Sequence, residues 1–189
     1  MAKAAPDGYT MLVAGPGAIS VASLVFSKLP YVPARDLAPV TMLVTMPFIV
    51  VTHPSVPARN ATELIALAKA KPDTINYASY GIGSMPHLNF EALNQRLGMK
   101  LTHVPYRSAG PAVTDLLGGQ VPLMFGPSPV VVPLVQSGRL RPLAFTGLKR
   151  TPQLPNVPTV DESGVKGYES TGWYGLYGPR AMPRPGRRC

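Results

Sequence analysis

Short apolar runs alternate with helically spaced segments along most of this chain. Residues 9–14, 38–44, 48–52, 74–78, 101–104, 121–125, 143–146 and 173–177 are strand-sized and rich in apolar or β-branched residues. Between them lie segments with an apolar stripe. Asn60 opens one as a capping box with Glu63, and Leu64, Leu67 and Ala68 form its buried face. A second, over residues 88–97, carries Phe90, Leu93 and Leu97 on one side, and Gly98 closes it. A third follows Ser108 through Val113, Leu116 and Leu117 to Gly118-Gly119; apolar segments also follow residues 15–20 and 126–129.

The recurring unit is strand, glycine-bearing loop, helix, which predicts parallel βαβ units with the binding loops at the carboxyl ends of the strands. The prolines of residues 29–37 exclude a regular helix there, and Met46-Pro47 breaks the apolar stretch into two strands at a point suited to a crossing between lobes. Residues 149–159 read as an extended, proline-rich return across a lobe.

One loop stands out chemically. In Ser79-Tyr80-Gly81-Ile82-Gly83-Ser84-Met85-Pro86-His87-Leu88, two glycines permit a sharp turn, Ser84 or Met85 is placed to cap a helix, and Pro86 suits its first turn. Free amides and the positive end of a helix dipole then converge, which suits a carboxylate or phosphate. An ordinary capped helix after a tight turn fits the same pattern. Residues 15–20 (Gly15-Pro16-Gly17-Ala18-Ile19-Ser20) repeat the arrangement, but both loops lack the third glycine of a dinucleotide fingerprint.

Composition narrows the function classes. The net charge of +9 invites a nucleic-acid reading, yet Arg180, Arg184, Arg187 and Arg188 supply four of those charges in a Pro/Gly-rich tail, and the other cations are scattered without interleaved aromatics. No apolar run approaches the roughly 18 residues of a membrane span, and the first residues lack the apolar core of a signal peptide. Cys189 is the single cysteine, so no intrachain disulfide forms. His53, His87 and His103 have no second metal ligand at helical spacing, no G-x-S-x-G elbow occurs, and the carboxylates are dispersed. No catalytic set, metal site or cofactor is expected. The loops instead offer amides and hydroxyls, equipment for holding a small anion.

Several runs carry a family resemblance: Ala4-Ala5-Pro6-Asp7-Gly8-Tyr9-Thr10, Leu29-Pro30-Tyr31, Gly81-x-Gly83-Ser84-x-Pro86-His87-Leu88, His103-Val104-Pro105-Tyr106, Pro111-Ala112-Val113-Thr114-Asp115-Leu116-Leu117-Gly118-Gly119-Gln120-Val121 and Leu154-Pro155-Asn156-Val157-Pro158-Thr159-Val160. In this order they resemble the Bug family, the extracytoplasmic solute receptors of tripartite tricarboxylate transporters. The resemblance implies an α/β, type II periplasmic-binding-protein-like fold of two lobes with a cleft. Residues 1–46 and 146–189 would form the first lobe and residues 47–145 the second. It implies capture of a small carboxylate (a dicarboxylate, tricarboxylate, amino acid or aromatic acid), delivery to membrane permease subunits, and a periplasmic location. The carboxylate cradle would be Gly81, Ile82, Gly83, Ser84 and His87. Ala14, Gly15 and Gly17 would face it from the first lobe, with Tyr106, Ser108 and Ser128 at the rim.

Departures from the family pattern set further expectations. Family members are longer at both ends, so the first lobe is expected to be incomplete, and the tail Arg180 to Cys189 departs from the family pattern as a shifted reading frame or a truncated gene would make it. Without an upstream signal the chain would stay cytoplasmic. Pro122 and Gly126 stand where the family has an acid, or an acid or amide. The alternative to a receptor is a non-binding remnant or an oligomeric interaction module, pairing copies through an exposed sheet edge.

Overall fold

The computed structural model describes residues 2–182; the expectations for Arg184, Arg187, Arg188 and Cys189 lie outside them. The chain divides into two compact units, one built from the described residues up to Thr45 and from Gly172 onward, the other from Met46–Thr171.

In the first unit, β1 (Leu12–Ala14) pairs antiparallel with β7 (Thr171–Pro179), Leu12 opposite Tyr177. β7 in turn neighbours β2 (Leu37–Thr52). A π-helical turn, Gly17–Val21, leads into the short α1 (Ala22–Val25). The prolines of residues 29–37 do not exclude a helix altogether. Pro33 occupies the first turn of α2 (Pro33–Asp36), where its missing N–H costs nothing, and the Asp36 carboxylate accepts the Val32 N–H at 2.8 Å. The core here is small: Ala14, Leu37 and Tyr177, with Leu12, Ile19, Tyr31 and Trp173 against them.

β2 is one continuous strand of 16 residues rather than two broken at Met46-Pro47. Pro47 is tolerated because it sits where β2 leaves one unit and begins pairing in the other. The next amide, Phe48 N–H, donates to Thr146 Oγ1 at 2.8 Å.

The second unit is a five-stranded sheet in the order β6 (Arg141–Phe145), β2, β5 (Leu123–Pro127), β3 (Asn76–Ser79), β4 (Thr102–Pro105). β3 is parallel to both β4 and β5, as the alternating pattern predicts, but β2 runs antiparallel to β5 and β6, so the sheet is mixed. Alternation along β2 shows how it is filled. Phe48 and Val50 face a core shared with α3 (Ala61–Ala70) and α4 (Met85–Leu97), through Leu64, Ala68, Phe90 and Leu93. Ile49 and Val51 face the opposite core, shared with α5 (Ala109–Leu117) and α6 (Ser128–Gln136), through Val113, Leu116 and Val131.

The capping box forms with a twist: Asn60 Oδ1 accepts the Glu63 N–H at 2.8 Å, while Glu63 reaches back to the Arg59 N–H at 2.7 Å.

The lobe boundary moves from its expected place after Phe145. Residues 146–171 belong with the second unit, because Val160, Val165 and Tyr168 enter its core and Thr159 bridges to Phe145 beside β6. The proline-rich residues 149–159 therefore fold back on this unit and do not return to the other. The spacing of prolines marks an irregular segment; it does not tell which core takes Val157 and Val160.

Candidate ligand loop at the end of β3

β3, β4 and β5 are parallel, so the segments that follow them (residues 80–84, 106–108 and 128) emerge at one edge of the second unit's sheet. β3 lies between the other two, which puts its loop at the centre of that edge. The backbone turns there through Gly81 at φ 114° and Gly83 at φ 78°, conformations that L side chains rarely adopt. Ser84 is the N-cap of α4, Met85 begins the helix and Pro86 lies in its first turn.

The loop is held by its own groups. Gly81 N–H donates to Ser79 Oγ at 3.1 Å; Ser84 N–H and Oγ–H both donate to Gly81 O, at 3.2 and 2.7 Å. Gly83 N–H donates to His87 Nδ1 at 3.2 Å. The expected cradle is thereby revised in detail: the amides of Gly81, Gly83 and Ser84 and the Ser84 hydroxyl are spent on shaping the loop. Among the described residues, the N–H groups of Ile82, Met85 and His87 have no acceptor. They stand at the positive end of a 13-residue helix, and the Ile82 side chain is 60% exposed beside them. This arrangement can hold an anionic oxygen pair without a charged side chain.

The other candidates sit as follows. Tyr106 N–H donates to Ser79 O at 2.9 Å, tying β4 to the loop, but its hydroxyl donates to Asp115 Oδ2 at 2.8 Å and so faces α5. Burial, then that hydrogen bond, raises the Tyr106 hydroxyl above its ordinary pKa. Ser108 is the exposed N-cap of α5 with no side-chain cap bond, and Ser128 begins α6, half-buried. Ala14, Gly15 and Gly17 belong to the first unit. Ala14 is buried at the end of β1, and Gly15 is a glycine for a packing reason, since a Cβ there would lie 2.9 Å from the Trp173 carbonyl oxygen. Two apolar concavities of the first unit, about 420 Å³ by Leu12 and Tyr31 and about 390 Å³ by Met42 and Trp173, hold none of the candidate residues.

Sequence reasoning missed what lies beneath the loop. Tyr77 and Ser79 project from β3 to the same side, in register with His103 and Pro105 of β4. His103 Nε2 is 2.6 Å from Ser79 Oγ, and its ring stacks on Tyr77 (centroids 5.0 Å apart) and on His87 (4.1 Å). Burial, then the neighbouring His87, pushes the His103 pKa down, while Glu91 opposes. The Tyr77 hydroxyl donates to Glu91 Oε1 at 2.6 Å; burial first, then this bond, drives its pKa far up. The available signal was the i, i+4 spacing of His87 and Glu91 on one helical face together with a histidine in the strand after that helix.

A buried polar chain lies nearby. Asn89 of α4 accepts from Ser170 Oγ at 2.8 Å, and the Ser170 carbonyl accepts from Thr146 Oγ1 at 2.6 Å. Thr146 also takes the Phe48 N–H. Helix α4 is thus bonded to Ser170, beside Thr171 where the chain leaves this unit, and linked through Ser170 and Thr146 to Phe48, near the other exit at Met46.

Comparison with known proteins fixes the family. The description "Tripartite tricarboxylate transporter family receptor" matches residues 1–185. The chain belongs to this receptor family. Receptors of this kind bind solutes and are not enzymes. Among solved structures, Rpa4515 of R. palustris, determined with adipate, is 36% identical with a TM-score of 0.92, covering 96% of this chain and 61% of that one. The periplasmic binding protein BugD is 36% identical with a TM-score of 0.90, covering 97% and 61%. MatC of Rhodopseudomonas palustris, with bound malate, is 34% identical with a TM-score of 0.90, covering 97% and 63%. These neighbours establish the periplasmic-binding-protein fold class. The chain spans about half the length of the curated relatives it matches.

Proposed function

We propose that this chain captures a small carboxylate at the 81–87 loop, as the solute-binding part of a tripartite tricarboxylate transporter receptor working with membrane permease subunits in the periplasm. The observation that carries this reading is the trio of open amides, Ile82, Met85 and His87, at the N-terminus of α4 and the centre of the strand-end edge. Adipate and malate in two structural relatives support a dicarboxylate as the first probe. A thermal-shift screen with adipate, malate and a matched neutral diamide tests it. The expected result is a rise in melting temperature with the acids and none with the diamide; an equal response to all three removes carboxylate recognition.

One observation favours a second reading, association of copies. Residues 39–45 of β2 are exposed, among them Met42, Leu43 and Val44 at 62%, 51% and 49%. An exposed apolar stretch of this kind offers a surface for packing against another copy. Size-exclusion chromatography with light scattering decides it: a monomer at micromolar concentration rules the reading out.

A further inference from the structure

The imidazoles under the loop are arranged as a support for it. His87 Nδ1 accepts a hydrogen bond from Gly83 N–H, so this nitrogen carries no proton in the structure's loop conformation. Adding a proton there turns the acceptor into a donor facing a donor, and the Gly83 amide is released. His103 packs its ring flat on His87 at 4.1 Å and reaches Ser79 Oγ, the atom that receives the Gly81 amide. One imidazole therefore braces both glycine amides, through Ser79 on one side and His87 on the other.

We propose that His103 is a positioning residue for carboxylate capture, and that the loop keeps its ligand-accepting form only while the stacked His87–His103 pair is neutral, so that acid releases it. This rests on the receptor reading for its consequence in binding, and on the loop's hydrogen bonds alone for the conformational step. The groups facing the pair are Tyr77 and Ser79 from β3 and Glu91 from α4. Glu91 is the one carboxylate among them, and it is engaged by the Tyr77 hydroxyl. Two stacked cations repel, and burial favours the neutral form of His103 at neutral pH. Imidazole is the side chain whose charge changes across the range just below that.

The test is an amide NMR titration of the full chain, following Gly81 and Gly83 from pH 8 to pH 5.5 beside the C2–H signals of His87 and His103. The expected result is that Gly83 moves with the imidazole titration and that His87→Asn makes it independent of pH. His103→Gln, which keeps a hydrogen-bonding group for Ser79, should restore the Gly81 signal where His103→Ala shifts it. A Gly83 resonance that stays fixed while both imidazoles titrate overturns the proposal, and this wild-type measurement decides even if a variant fails to fold. Malate affinity, by calorimetry, should fall about threefold or more between pH 8 and pH 6, a window in which carboxylic acids remain ionised. A chain whose Gly83 titrates but which binds neither malate nor adipate refutes the receptor reading and upholds the loop support.

Discussion

Replacing Gly126 with alanine places a methyl group where Val131 already sits. Gly126 lies in β5 opposite Ile49, and a Cβ built on it is 2.2 Å from Val131 Cγ1, 3.1 Å from Cγ2 and 3.2 Å from Cβ. Carbon atoms rest roughly 3.5–4.0 Å apart, so the overlap is severe. Val131 is fully buried on α6, and a β-branched side chain on a helix has one strongly preferred χ1, so it cannot swing aside. The cost of Gly126→Ala is expected to be about 1–3 kcal/mol. Val131→Ala removes two methyl groups from a packed core, a loss of about 2 kcal/mol from burial and the cavity left behind. In the double variant the new methyl fills part of that cavity and meets only the alanine Cβ. The two costs should then sum to about 1–2 kcal/mol more than the double variant loses. Urea unfolding followed by far-UV circular dichroism, with unchanged m-values, measures all three. Additivity within about 0.5 kcal/mol would refute the packing argument.

Other perturbations test separate parts of the account. Gly81→Ala meets nothing closer than the Tyr106 carbonyl oxygen at 3.6 Å, so its cost is conformational, about 1–3 kcal/mol for a side chain at φ 114°, and urea unfolding reads it. Thr146→Val strands the Phe48 N–H and the Ser170 carbonyl inside the protein and should cost about 2–4 kcal/mol, with Thr146→Ser recovering most of it. The depressed His103 pKa predicts a pH dependence of stability. The unfolded chain, with an ordinary imidazole near 6.5, binds its proton at higher pH than the folded one, so stability is full above that value and declines as pH falls through it toward the folded value. Calorimetric melting between pH 8 and pH 5.5 should show this slope in the wild type and a flatter one in His103→Gln.

Much of the second unit was legible because its signals are local. The capping pair Asn60 and Glu63, the stripe of Phe90 and Leu93, and the glycines after β3 each settle a short stretch without help from distant residues. What escaped depends on pairing. Whether β2 runs parallel or antiparallel to β5 is decided across more than 70 residues, and a buried apolar run reads the same in either direction. Residues 149–159 read as a proline-rich connection, yet Val157, and Val160 and Tyr168 just beyond them, are drawn into the cores of the second unit.

The site divides along the same line. The turn glycines and the α4 cap are visible in the sequence, whereas the use of the Gly83 amide by His87 is not, since it needs the loop's actual path. Nor could the stacking of His103 on His87 be foreseen, because it joins β4 to α4 through the tertiary fold.

The central claim is that the amides at the start of α4 hold a carboxylate. Isothermal titration of malate into the chain at pH 8, beside a folded Gly83→Val variant, tests it most directly. Gly83 has φ 78°, a conformation a β-branched residue resists, so valine there should displace the Ile82 and Met85 amides. The account predicts saturable binding to the wild type and a loss of tenfold or more in the variant, which corresponds to roughly 1.4 kcal/mol. Equal malate affinity in the two proteins, or no binding to a folded wild-type chain, would contradict it.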